Sequence, residues 1–184
     1  MLSNGDKQEL LSVARLAIEA KLTGHSISLE NSFHETLLQP SGAFVTIRVD
    51  HELRGCIGYI ESDKPLAHVV AEVAAKAATN DPRFAPMTVP ELDVASIEIS
   101  VLSPPRRIFS IDEIEIGIHG LMVVLGMNRG LLLPQVAIEH GLDRESFFVA
   151  TLQKAGIPLG MRYIPELEIY VFDAEILHET NVLQ

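Results

Sequence analysis

Chemistry in this chain centres on Leu53-Arg54-Gly55-Cys56-Ile57-Gly58, where a guanidinium and a thiol lie two residues apart in a run of β-formers. The period of two puts Arg54, Cys56 and Gly58 on one strand face and Leu53, Gly55 and Ile57 on the other. Side chains two apart are separated by roughly 6.5 to 7 Å, close enough for a cation to favour a thiolate where screening is weak. Cys56 is therefore a candidate nucleophile or redox thiol, set against the alternative that a lone cysteine packs as a small hydrophobe. Gly55 and Gly58 weaken a strand interior, so a bulge or the close approach of a ligand or another backbone is expected there.

Other groups could join this strand. Asp81-Pro82-Arg83-Phe84 carries an arginine whose planar fork suits a carboxylate or phosphate, or which locks the loop through Asp81. Alternation over 96–101 sets Glu98 and Ser100 opposite Ile97, Ile99 and Val101, so Glu98 meets either solvent or a cleft. His119 precedes one apolar run and Gln135 follows another, and each either joins a site or satisfies local backbone groups. On the enzyme reading, Arg54 and Arg83 hold an anion, Cys56 is the nucleophile, and His119 or Glu98 moves a proton, with Gly55, Gly58, Asp81 and Gln135 lining the ligand. On the adaptor reading the same residues recognise a partner without covalent chemistry.

Several function classes are disfavoured. The seven histidines fall in no His-x-His or His-Glu-x-x-His setting, so spacing gives no metal site. Phosphate-binding, dinucleotide-binding and serine-elbow motifs are missing, and no cofactor is expected. Lys plus Arg number 14 against 25 Asp plus Glu, and a net charge of −11 repels polyanions, so no nucleic-acid partner is expected. Apolar runs are far shorter than the roughly 20 residues a membrane helix needs. One cysteine allows no intrachain disulfide, and the first residues lack a basic and then apolar leader, so the expected compartment is the cytoplasm.

These groups must be positioned by elements that the pattern predicts in mixed order. Asp6 with Glu9 resembles a capping pair, and Leu10, Val13, Ala14, Ala17 and Ile18 keep helical spacing up to Gly24. A hairpin is predicted over 43–49 and 53–60, then a helix whose stripe runs from Leu66 to Ala77. Three prolines between Asp81 and Pro90 predict a fixed loop, and a strand follows over 94–101. Pro104-Pro105 marks a candidate lobe boundary, and Ser110 with Glu113 caps a short turn. A second hairpin over 121–125 and 131–133 stops at Pro134, Asp143 caps a helix ending near Ala155, and 168–177 is a closing strand. The fold class is α+β, a mixed, largely antiparallel sheet with flanking helices. One domain over 1–184 is expected, with part of the chain forming a smaller lobe.

In addition, Gly42-Ala43-Phe44-Val45, Leu53 to Gly58, Asp81 to Phe84, Ile97 to Leu102, His119-Gly120-Leu121, Leu132 to Val136 and Lys154-Ala155-Gly156 occur in the order found in one family. Over nearly its whole length the chain resembles the AMME syndrome candidate gene 1 proteins, whose bacterial and archaeal members are called AmmeMemoRadiSam system protein A. The resemblance implies an α+β AMMECR-type domain of two unequal lobes with the Cys56 motif near a cleft, but no agreed reaction or catalytic residue. It also implies Memo-like and radical S-adenosylmethionine proteins as partners. The chain departs from the pattern at Ala85, where a second proline is common, and at Leu142 and Met161 to Tyr163, where tryptophan is frequent. The function expected is that of an accessory or adaptor component with a ligand cleft at Leu53 to Gly58, for a partner or a small anionic ligand.

Overall fold

The computed structural model describes residues 2–29 and 33–179. They divide into two compact units, one formed by the described residues up to Leu102 together with 175–179 and the other by Ser103–Ala174. The architecture is α+β, with antiparallel pairing between strands.

In the first unit, helix α1 (Asn4–Thr23) opens one turn earlier than the Asp6–Glu9 pair predicts. Ser3 is the N-cap and Asp6 its reciprocal partner, so Asp6 closes the capping box instead of starting it. Gly24 ends the helix in the left-handed region at φ 74°. Strands β1 (Ala43–Val49) and β2 (Glu52–Tyr59) form the expected hairpin, with Asp50 and His51 both at positive φ in its turn. Helix α2 (Leu66–Thr79) buries Val69, Val70, Val73, Ala74 and Ala77 in a core shared with α1 and with Val45, Ile47, Ile97 and Ile99. Strand β3 (Ala95–Leu102) pairs with β1, which places β2 at the outer edge of the order β2-β1-β3.

The proline-rich segment is not loop throughout. Thr88 and Glu91 form a capping box, and Pro90 sits in the first turn of a short helix, α3 (Val89–Val94). There its missing N–H costs nothing, because first-turn amides have no intrahelical acceptor.

The second unit contains β4 (Arg106–Ile108), β5 (His119–Leu125), β6 (Asn128–Leu132) and most of β7 (Glu168–His178). Strand β7 pairs with β4 along one edge and with β5 along the other, and β5 pairs with β6. Pro134, expected only to stop a strand, opens helix α4 (Pro134–Glu139), and Asp143 caps α5 (Arg144–Lys154) as predicted. Leu121, Val123, Phe147, Phe148, Leu152 and Val171 form a separate core. No helix among the described residues is long and apolar enough to cross a membrane.

Candidate functional site

An edge strand leaves alternate N–H groups without ladder partners, and β2 meets this need with a side chain. The Cys56 amide donates to Asp81 Oδ2 at 2.9 Å. Asp81 lies just past the end of α2 and is only 4% exposed. Its two oxygens also accept from Arg83: Nε donates to Oδ1 at 2.9 Å, Nη2 to Oδ2 at 2.7 Å, and the Arg83 backbone N–H to Oδ1 at 3.1 Å. A buried carboxylate with four donors stays ionised, and Arg83, then burial-opposing backbone donors, hold its pKa far below the usual carboxylate range. Of the two readings of Arg83 that the sequence allows, anion clamp or loop lock, the Asp81–Arg83 lock forms, and Asp81 links it to the Cys56 strand.

On that strand, Cys56 stands opposite Thr46, which stands opposite Glu98 on β3. The three residues make a cross-strand row. Thr46 Oγ1 donates to Cys56 Sγ at 3.3 Å, and His178 Nδ1 lies 3.4 Å from Glu98 Oε2 at the far end of the row. Burial pushes the Cys56 thiol above its ordinary pKa; Thr46 and the Arg83 charge offset part of this, while Asp81 and Glu98 push upward.

Arg54 does not serve the thiol as the strand period suggested. Its Nε donates to Glu91 Oε1 at 2.7 Å, Nη2 reaches Glu91 Oε2 at 3.4 Å, and Nη1 donates to the Ala85 carbonyl at 2.9 Å. Arg54, with help from Thr88, holds Glu91 at about 2. The pairing of β1 with β2 also shifts register between Ile47 and Arg48, next to this point of the strand. Arg54 therefore ties β2 to α3, and the expected Arg54–Cys56 couple is replaced by a carboxylate clamp. We expect Cys56 to react more slowly with a disulfide reagent at pH 7 than an ordinary free thiol, and Arg54→Ala to leave its thiol pKa unchanged. Fast labelling that slows in Arg54→Ala would contradict this assignment.

The glycines are accounted for by the chain itself. A Cβ on Gly55 would lie 2.1 Å from the Ala77 carbonyl oxygen, so of the alternatives expected there it is another backbone, that of α2, that approaches closely. A Cβ on Gly58 would lie 2.2 Å from the Phe44 ring, its cross-strand neighbour. Gly120 makes the same pairing with Phe172 in the second unit.

His119 and Gln135 belong to the second unit, at the start of β5 and in the first turn of α4. His119 Nδ1 accepts the Glu115 N–H at 3.0 Å, closing the turn before β5 and fixing the neutral ring as the Nε2–H tautomer. Asp81, Arg83, Cys56 and Glu98 thus gather in the first unit, joined by Thr46 and His178. Sequence reasoning passed over these two: Thr46 could have been found from hairpin register, whereas His178 has no local signal. Among the described residues, no group of three or more His, Cys, Asp and Glu side chains could hold a metal ion.

The protein class so defined is an α+β chain whose edge strand, bearing a lone cysteine, is fastened by a buried aspartate just past the end of the following helix. The AMMECR1 family model matches residues 11–177, and the chain belongs to that family. It is 43% identical over 186 residues to a protein of Methanothermobacter thermautotrophicus, covering 97% of this chain and 96% of the relative. A protein of Methanopyrus kandleri is 42% identical over 179 residues, covering 92% and 86%. The crystal structure of an uncharacterized protein from Pyrococcus horikoshii is similar with a TM-score of 0.91 at 35% identity, covering 97% of this chain and 93% of that one.

Proposed function

We propose that this protein is an accessory or adaptor component that binds through the surface around Arg83 and β2, recognising an anionic group on a partner or small ligand. The observation that carries this reading is the Asp81–Arg83 fork. Nε and Nη2 are committed to Asp81, while the Arg83 side chain remains half exposed and stands 5.4 Å from the Phe84 ring centroid. A guanidinium held in one orientation loses little freedom when it receives a carboxylate or phosphate, which favours recognition. The alternative, an enzyme using Cys56 as nucleophile or redox thiol, needs a thiolate, and burial disfavours that form.

The partners proposed are Memo-like and radical S-adenosylmethionine proteins. The test is capture of these two proteins by immobilised wild type, Arg83→Lys, Arg83→Ala and Cys56→Ser. Capture is expected to fall at least tenfold in Arg83→Ala, partly recover in Arg83→Lys, and persist in Cys56→Ser. Loss confined to Cys56→Ser, or no capture by wild type, would overturn the adaptor reading.

A further inference from the structure

The second unit carries a surface that the Arg83 reading does not use. A depression of about 390 Å³ lies between the β4 end and the 162–167 segment. Its floor includes Ile108, Phe148 and Leu167, all buried members of the second core. Two aromatic side chains stand on its walls with little cover: Phe109 is 86% exposed and Tyr163 is 74% exposed. Each has an arginine above its ring, Arg107 at 5.5 Å from the Phe109 centroid and Arg162 at 4.7 Å from that of Tyr163.

Rings left this exposed gain little for folding beyond their arginine contacts, whereas aromatic and arginine side chains around a pocket are the usual anchors of protein recognition. Charge selects the occupant. Arg107 has no ion pair among the described residues, and Arg162 has Glu145 at 3.2 Å, an exposed pair that an incoming carboxylate can replace at little cost. A long polyanion is opposed by the net charge of −11, but a short acidic peptide brings few charges to two local cations. Among the described residues strand β4 is paired along one edge only, to β7, which suits an extended segment laid beside it.

The geometry points to this depression as a docking site for an acidic linear segment of a partner protein, with one bulky apolar side chain seated between Phe109 and Tyr163 and its carboxylates on Arg107 and Arg162. This inference stands on the second unit alone and survives if the Arg83 reading fails.

The test is selection of a random peptide display library on the intact protein. Enriched peptides are expected to combine two or more acidic residues with a bulky apolar one. Their synthetic forms should bind wild type and lose at least tenfold in affinity in both Arg107→Glu and Tyr163→Ser. The exposed position of Tyr163 makes its replacement harmless to folding, which a melting curve checks. Arg107→Lys should restore part of the affinity by retaining the charge. No enrichment, enrichment of neutral or basic peptides, or affinity unchanged in these variants would overturn the inference. So would self-association of wild type abolished by Arg107→Glu, since the occupant would then be a second copy.

Discussion

Asp81→Ala is expected to lower the melting temperature by roughly 5–10 °C, from a loss of about 2–3 kcal/mol in a chain of this size. The change removes the acceptor of the Cys56 N–H and the counter-charge of Arg83 together, leaving an edge-strand amide without its ladder substitute. Because the folded pKa of Asp81 is depressed, its contribution is complete above the unfolded carboxylate value, near 3.9, and is lost as pH falls through the lower folded value. The gap between wild type and variant should therefore be full at pH 7 and shrink below about pH 4. Calorimetry across that range, with hydrogen exchange at the Cys56 amide, measures both effects. A gap below about 1 kcal/mol at pH 7, or one that does not narrow in acid, would show that Asp81 does not hold the edge.

Gly55→Ala is expected to cost about 3 kcal/mol or more, and to cost more than Gly58→Ala. At Gly55 the new methyl meets the Ala77 carbonyl oxygen and carbon, backbone atoms in the last turn of α2 that move only with the helix. At Gly58 two of the three nearest atoms belong to the Phe44 ring, which can turn aside, though the Ala43 carbonyl at 2.5 Å keeps that substitution unfavourable. Shifts in urea midpoint give the order directly. A Gly55→Ala protein as stable as wild type would mean that β2 and α2 are not in contact there.

Much of this arrangement was legible from residue order, and the failures have physical causes. Periodicity and turn residues are enough for α1, α2, α5, the first hairpin and β7. In the second hairpin β6 starts at Asn128 and not at 131, because Gly126 at positive φ lets two residues make the turn and the polar Asn128 and Arg129 hide the strand. Pro90 reads as part of a fixed loop and Pro134 as a stop although each sits in a first helical turn, because a proline reads alike before and after a boundary until the cap beside it is known. Strand β4 is three residues long, too short for alternation to register. At the site, the Asp81–Arg83 lock is two residues apart and could be anticipated. Arg54 was misdirected because Glu91, 37 residues later, competes for its guanidinium, and a strand period says nothing about such a partner. Thr46 and His178 flank the thiol and Glu98 only through sheet pairing and tertiary approach, which one sequence does not print.

The division of β7 between the units has a consequence for how the chain folds. The 103–174 unit is one continuous stretch, whereas its neighbour is built from two stretches that this unit separates in the chain. The other unit's first helix is anchored by the last described residues: Lys7 pairs with Glu175 at 2.9 Å, and Arg15 binds Glu179 at 2.6 Å while also donating to the Leu92 and Ala95 carbonyls. The Arg15–Glu179 anchor joins residues 164 positions apart, so the first unit must close a long loop before its first helix is secured, and its folding is slowed by a contact the continuous unit does not need.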